Sequence, residues 1–150
     1  MKKIYLSLLA VTLAFLSVTL TSCSNDDDST PVNEQPTANV EGKWYYSKMG
    51  VSFMGQEQLQ NYQHEAGCTK DNVELVSGGV FKDRDYSGSE CSLDELTGTW
   101  SKTGNNVTVN IEGMAETWEI VSMTSSELKV RSPFTMEGQT YYDVTVFTKN

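Results

Sequence analysis

The sequence predicts a small all-β protein: an up-and-down antiparallel β-barrel of about eight strands. Three observations carry that prediction. Apolar and polar residues alternate with a period of two over much of the chain after residue 41, the spacing of a strand with one buried face. Short turn-forming clusters separate these runs at hairpin-length intervals. The 150-residue chain also opens on an apolar segment of a processing type, which leaves room for one domain.

Taken in order, the strand candidates begin at Trp44 to Met49, followed by Val73 to Ser77, Val80 to Tyr86 and Thr99 to Lys102. The cleanest alternation is Val107-Thr108-Val109-Asn110-Ile111, and Glu116 to Ile120 repeats it. Leu128 to Val130 and Tyr142 to Val146 complete the set. Between them lie Ser77-Gly78-Gly79, Ser87-Gly88-Ser89, Thr103-Gly104-Asn105-Asn106, Glu112-Gly113, Thr124-Ser125-Ser126 and Glu137-Gly138. Strands that follow one another through short turns favour an up-and-down barrel or a small meander sandwich. The stretch from Val51 to Gly67 is Gln-rich and fits either a short helix or a wandering loop.

The first 40 residues read differently. Met1-Lys2-Lys3 is a short basic start, and Ile4 to Leu20 carries no charge. This is the layout of a secretory signal; the other reading is an uncleaved membrane anchor, for which the run is slightly short. Leu20-Thr21-Ser22-Cys23 resembles the lipobox of bacterial lipoproteins. That resemblance implies removal of residues 1–22 and acylation of Cys23, so the membrane is the first expected partner. Several acyl chains hold a protein stably, at about 0.8 kcal/mol for each buried methylene. Residues 24–40 contain no aromatic side chain and read as a disordered acidic tether spanning roughly 23 Å on average. Asp26-Asp27-Asp28 is either a solvated stretch or, with Ser24 and Asn25, similar to acidic tags that send lipoproteins to the cell surface. The expected location is the envelope of a Gram-negative cell, at the outer membrane.

Cleavage removes Lys2 and Lys3, leaving nine basic residues against 20 acidic ones, a net charge of −11. Nucleic acid, which needs a basic footprint, is excluded as a partner on that ground. With Cys23 lipidated, Cys68 and Cys91 remain in an oxidising compartment and read as a disulfide; the other reading is two buried free thiols. A bridge would close a loop of about 24 residues, which the chain-entropy model credits with roughly 3 kcal/mol.

Gly42-Lys43-Trp44 on the first strand resembles the Gly-x-Trp signature of lipocalins, and Gly98-Thr99-Trp100 repeats the pattern in mid-chain. Asp71 to Phe81 and the closing Tyr142 to Lys149 are similar to the lipocalin-like domains of secreted bacterial lipoproteins. The likeness covers residues 41–150. It implies a barrel in which tryptophan plugs one end, and a small hydrophobic or amphipathic molecule as ligand. The motifs of the larger transport lipocalins have no counterpart here. Residues expected to line a ligand or plug the barrel are Trp44, Trp100, Trp118, Val109, Val144 and Val146. The alternative is a fully packed barrel that acts as a structural or interaction module.

Nothing in the residues points to an enzyme. The single histidine, His64, has polar neighbours and reads as a surface residue; no second imidazole is available for a triad. There is no phosphate-cradling glycine loop, no cysteine or histidine pair at metal-ligand spacing, and no cofactor motif. Asp83 to Asp94 matches part of a calcium-loop pattern, with oxygen ligands at alternate positions and Gly88 at the sixth. Glu90 at an aliphatic position favours an acidic hairpin tip instead.

Overall fold

Alternation over the chain translates into nine antiparallel strands in a computed structural model that describes residues 39–149. The expected signal segment, Cys23 and tether lie outside the described residues. The strands are β1 (Gly42–Phe53), β2 (Gln56–Asn61), β3 (Asn72–Val76), β4 (Val80–Ser87), β5 (Ser92–Thr103), β6 (Asn106–Ile111), β7 (Met114–Met123), β8 (Glu127–Met136) and β9 (Gln139–Thr148). Each of β3 to β9 pairs with the next in sequence, and β1 pairs with both β3 and β9. The sheet therefore closes on itself as an eight-stranded barrel with β2 added, and closure removes the exposed edges that an open sheet would carry.

The class is the expected one, but β2 is an element that the alternation does not reveal, and several strands run longer than expected, notably β1 to Phe53, β5 from Ser92 and β8 to Met136. The region left between helix and loop is a hairpin: β1 runs on to Phe53, turns through Met54-Gly55, and returns as β2. Met54 adopts φ 50°, and Glu112 and Glu137 occupy the same left-handed region at two other turns. These are the tight turns whose twist matches that of the flanking strands.

β2 and β3 lie against one edge of β1 in succession. Gln56 to Asn61 faces Phe53 to Lys48, and Asn72 to Leu75 faces Tyr45 to Gly42. They are two halves of one interrupted strand, with residues 62–71 bulging out between them. A register shift between Tyr46 and Lys48 bends β1 at the interruption. Gly50 then lets β2 come close, because a Cβ there would collide with the Gln58 carbonyl.

The excursion is pinned at both sides. Cys68 bonds to Cys91 at the tip of the β4–β5 hairpin, with Cα atoms 5.3 Å apart. His64 does the rest. Its Nδ1 accepts from the Asp71 backbone N–H at 3.0 Å, and its Nε2 lies 2.9 Å from the Tyr46 carbonyl, to which it donates. Asp71, buried, accepts from the Tyr86 N–H at 2.7 Å. The expectation that His64 is a surface residue is corrected: its side chain is only 18% exposed and clasps β1, the excursion and, through Asp71, β4. The calcium-loop positions lie along a regular hairpin, in which Asp85 pairs with Asp94 and Ser87 with Ser92.

The core occupies the barrel interior, built from Val40, Trp44, Val73, Leu75, Phe81, Val107, Val109, Ile120, Leu128, Val130 and Phe147. All but Val40, which precedes β1, sit on one parity of their strands, as a half-buried sheet requires.

Candidate functional site

The barrel interior is filled at one end and hollow at the other. Turns β3–β4, β5–β6 and β7–β8, with residues 39–41, gather at the filled end; turns β1–β2, β4–β5, β6–β7 and β8–β9 gather at the other. Trp44 closes the filled end and is fully buried. Its indole N–H donates to the Val40 carbonyl at 2.7 Å, and the Lys149 ammonium lies 4.3 Å from its ring centroid. Lys149 also donates to the Glu41 carbonyl at 3.3 Å, so the residues just before β1, those just after β9 and the plug are tied together.

Trp100 repeats this arrangement across the barrel, as the doubled Gly-x-Trp pattern suggests. Its indole N–H donates to the Val76 carbonyl at 2.9 Å. Gly98, two residues earlier, faces the Asn110 carbonyl so closely that any side chain would displace it. Both tryptophans are thus held by backbone carbonyls and pack as structure.

Above this plug lies a cavity of about 270 Å³. Its floor is aromatic. The Trp118 and Phe81 rings meet edge to face at 5.8 Å, Trp118 lies 6.0 Å from Phe147, and Phe147 lies 5.0 Å from Tyr46. Val109, Ile111 and Val130 complete the apolar wall. One step further toward the open end, the same strands present Asp83, Glu116, Ser132, Asp143 and Thr145. At the open end, Phe53 and Phe134 stack on either side of the Tyr141 ring, with centroids 4.4 and 5.5 Å away. Exposed Met54, Leu93, Met114 and Met136 ring the four turns there.

Hydrogen bonds and burial set the electrostatics of the cavity. The Tyr46 hydroxyl donates to Asp83 Oδ1 at 3.1 Å. Burial first, then the neighbouring Asp83 charge, pushes the Tyr46 phenol far above its ordinary range. Tyr62 stacks on Tyr46 at 4.9 Å and is pushed up to about 12, by burial and then by Asp71. Asp83 is itself raised; burial is the main cause, partly offset by the Tyr46 hydrogen bond. The Ser132 hydroxyl donates to Glu116 Oε1 at 2.9 Å.

Of the residues expected to line or plug the barrel, Trp118 and Val109 border the cavity, while Trp44 and Trp100 pack below it. Val144 and Val146 do neither. Both are buried, but they alternate with the cavity residues Asp143, Thr145 and Phe147 and so point to the outer face. The cover there comes from β2 and charged side chains: Lys129 of β8 reaches Glu57 of β2 at 2.5 Å, and the Arg131 guanidinium lies over the Tyr142 ring at 4.4 Å. The cavity residues missed include the polar members of the same strand, Asp143 and Thr145, as well as Asp83, Glu116 and Ser132 on neighbouring strands and the aromatic floor residues Phe81 and Phe147. On β9 the signal was position: Asp143 and Thr145 lie four and two residues before the buried Phe147.

Closed walls, a plugged base and a hollow upper half define a calyx-type β-barrel protein. Residues 40–130 match the model of the lipocalin-like domain, and the chain belongs to that family. A lipocalin-like protein from Bacteroides uniformis superposes with a TM-score of 0.52 at 13% identity, covering 73% of this chain and 97% of its own. A protein from Bacteroides eggerthii does so at 0.50 and 11% identity, with 73% and 98% covered. At such identities the likeness establishes the fold alone. A search of curated proteins finds no match.

Proposed function

We propose that this protein is a membrane-anchored lipoprotein of the cell envelope whose barrel holds a small hydrophobic or amphipathic molecule. The observation that carries the binding reading is the cavity: about 270 Å³ of space above an aromatic floor, inside a barrel that is otherwise packed. That volume sits just below the usual 300–1,000 Å³ of small-molecule sites. The ligand is therefore compact, about the size of one or two fused rings. Aromatic walls supply burial and the polar layer above them fixes orientation. Family membership supports the same reading, because lipocalin-like barrels are binders of small hydrophobic molecules.

Support for the anchor comes from Leu20-Thr21-Ser22-Cys23 behind an uncharged segment, and the localisation at an outer membrane follows from it. The Asp26-Asp27-Asp28 run supports a surface-facing placement.

Tryptophan emission reads the cavity directly, since Trp118 forms part of its floor. A panel of compact aromatic and aliphatic molecules, 1-naphthylmethanol among them, should quench a component of emission that the Trp118→Phe variant lacks. A panel that leaves emission unchanged sinks the binding reading in favour of a structural module. Intact mass of the purified protein should show diacylglycerol on Cys23, and Cys23→Ser should move the chain to the soluble fraction.

A further inference from the structure

We propose that the cavity selects a cationic amphiphile: an organic ammonium carrying a compact aromatic or aliphatic body. This rests on the reading of the cavity as a binding site and adds the charge of what it takes. The cavity, not its acids, defines the site; the acids decide which amphiphile fits.

Strand parity sorts the charged side chains between the two faces of the barrel wall. On β4, Asp83 faces the interior while Lys82 and Arg84 face out. On β8, Ser132 faces in while Lys129 and Arg131 face out. The outward bases are already partnered: Arg84 with Glu74 at 2.7 Å and Glu95 at 2.6 Å, Arg131 with Glu119 at 2.8 Å, Lys129 with Glu57 at 2.5 Å. Inside, the ionisable groups that border the cavity are Asp83, Glu116, Asp143 and the Tyr46 phenol; among the described residues no lysine or arginine borders it. Asp85 and Asp94 extend the acidic parity of the β4–β5 hairpin toward the open end.

Three carboxylates facing one hollow, without a cation among its walls, create a negative potential that low-dielectric walls focus. A fatty-acid-like anion meets like charge at that layer. A neutral molecule gains only the aromatic burial below it. An ammonium gains the burial, a carboxylate partner and the faces of Trp118 or Tyr46 for a cation–π contact. The layering also sets its orientation, with the body on the aromatic floor and the ammonium at the level of Asp83, Glu116 and Asp143. The raised position of Asp83 agrees with a partly buried carboxylate whose side-chain hydrogen-bond partner is a phenol.

Three probes of one shape and different charge test this on the full-length chain: 1-naphthylmethylammonium, 1-naphthylmethanol and 1-naphthylacetate, by isothermal titration at low salt. The ammonium should bind at least about tenfold more tightly than the alcohol, and the anion more weakly than either. The Glu116→Gln/Asp143→Asn double variant changes two exposed side chains, and should compress the ammonium-to-alcohol ratio to within about threefold; so should raising the salt to about 1 M. An alcohol or anion that binds as tightly as the ammonium overturns the charge selection and leaves the cavity reading intact. A ratio that survives the double variant overturns the assignment to these carboxylates. Absence of binding by all three overturns the selection and, if the wider panel is also silent, the binding reading with it.

Discussion

The two ends of this barrel are made from the same strands and solve opposite problems. At the filled end, Trp44, Leu75, Val107 and Leu128 are fully buried, and both tryptophans there donate to backbone carbonyls. At the open end the same strand faces carry Asp83, Glu116 and Asp143, and the turns display Met54, Met114 and Met136 to solvent. Buried apolar area stabilises at about 25 cal/mol per Å², so the packed filled end contributes stability that leaves the rim of the open end free to be polar. Stability and the proposed recognition are thus stacked along one axis.

The largest test of that division is Trp44→Ala. It removes a fully buried indole and leaves a void under the Lys149 ammonium, so it should cost about 3–5 kcal/mol. Urea denaturation measures it. A cost under about 1 kcal/mol would mean that the filled end is not what holds the barrel closed.

Parity along the strands explains what the sequence showed and what it hid. β6 and β7 are legible because their outer faces are polar and solvated, so Val107, Val109, Trp118 and Ile120 identify the interior unaided. β9 breaks the rule. Both of its faces are buried in part, and alternation alone assigns the apolar set, Val144 and Val146, to the inside. The assignment inverts because β2 and its ion pair cover the outer face, and β2 is the element that its glutamines concealed. The first half of β5 was hidden for a related reason: Leu93 and Leu96 are exposed, and Ser92 to Thr97 has no buried face to show a period. Of the cavity, its aromatic members were visible as aromatics, whereas its carboxylates looked like any solvated acid. Charge becomes informative only once the register places Asp83 opposite Leu96 and Asp143 opposite Ser132.

A second test bears on the boundary between the two ends, where residues 62–71 leave the wall. Removing the disulfide in a Cys68→Ala/Cys91→Ala variant releases a loop of about 24 residues and should cost about 3 kcal/mol. Because His64 and Asp71 still clasp the excursion to Tyr46 and Tyr86, the barrel should keep its fold. Circular dichroism of the variant should show the same β signal with a lower melting temperature. Loss of the folded signal at 25 °C would shift the main support of this wall from the clasp to the bridge.

The smallest effect is the most specific to the open end. Asp83 is raised in the folded barrel chiefly by burial, so between its unfolded value near 3.9 and its folded value the native state holds more protons than the unfolded chain. Stability therefore falls as pH rises through that window, and above it the ionised Asp83 remains a standing cost. Asp83→Asn removes the titration and keeps an acceptor for the Tyr46 hydroxyl, whose bond is now 3.1 Å long. The difference in unfolding free energy between variant and parent should start near its lowest value at about pH 4 and grow in the variant's favour toward neutrality. Other carboxylates cancel in that difference. A bound ammonium should narrow the gap from the other side, by giving the ionised Asp83 a partner, so the parent's deficit at neutral pH should shrink when 1-naphthylmethylammonium is present. A difference that stays flat with pH would place Asp83 in solvent contact, and the negative layer of the cavity would then rest on Glu116 and Asp143.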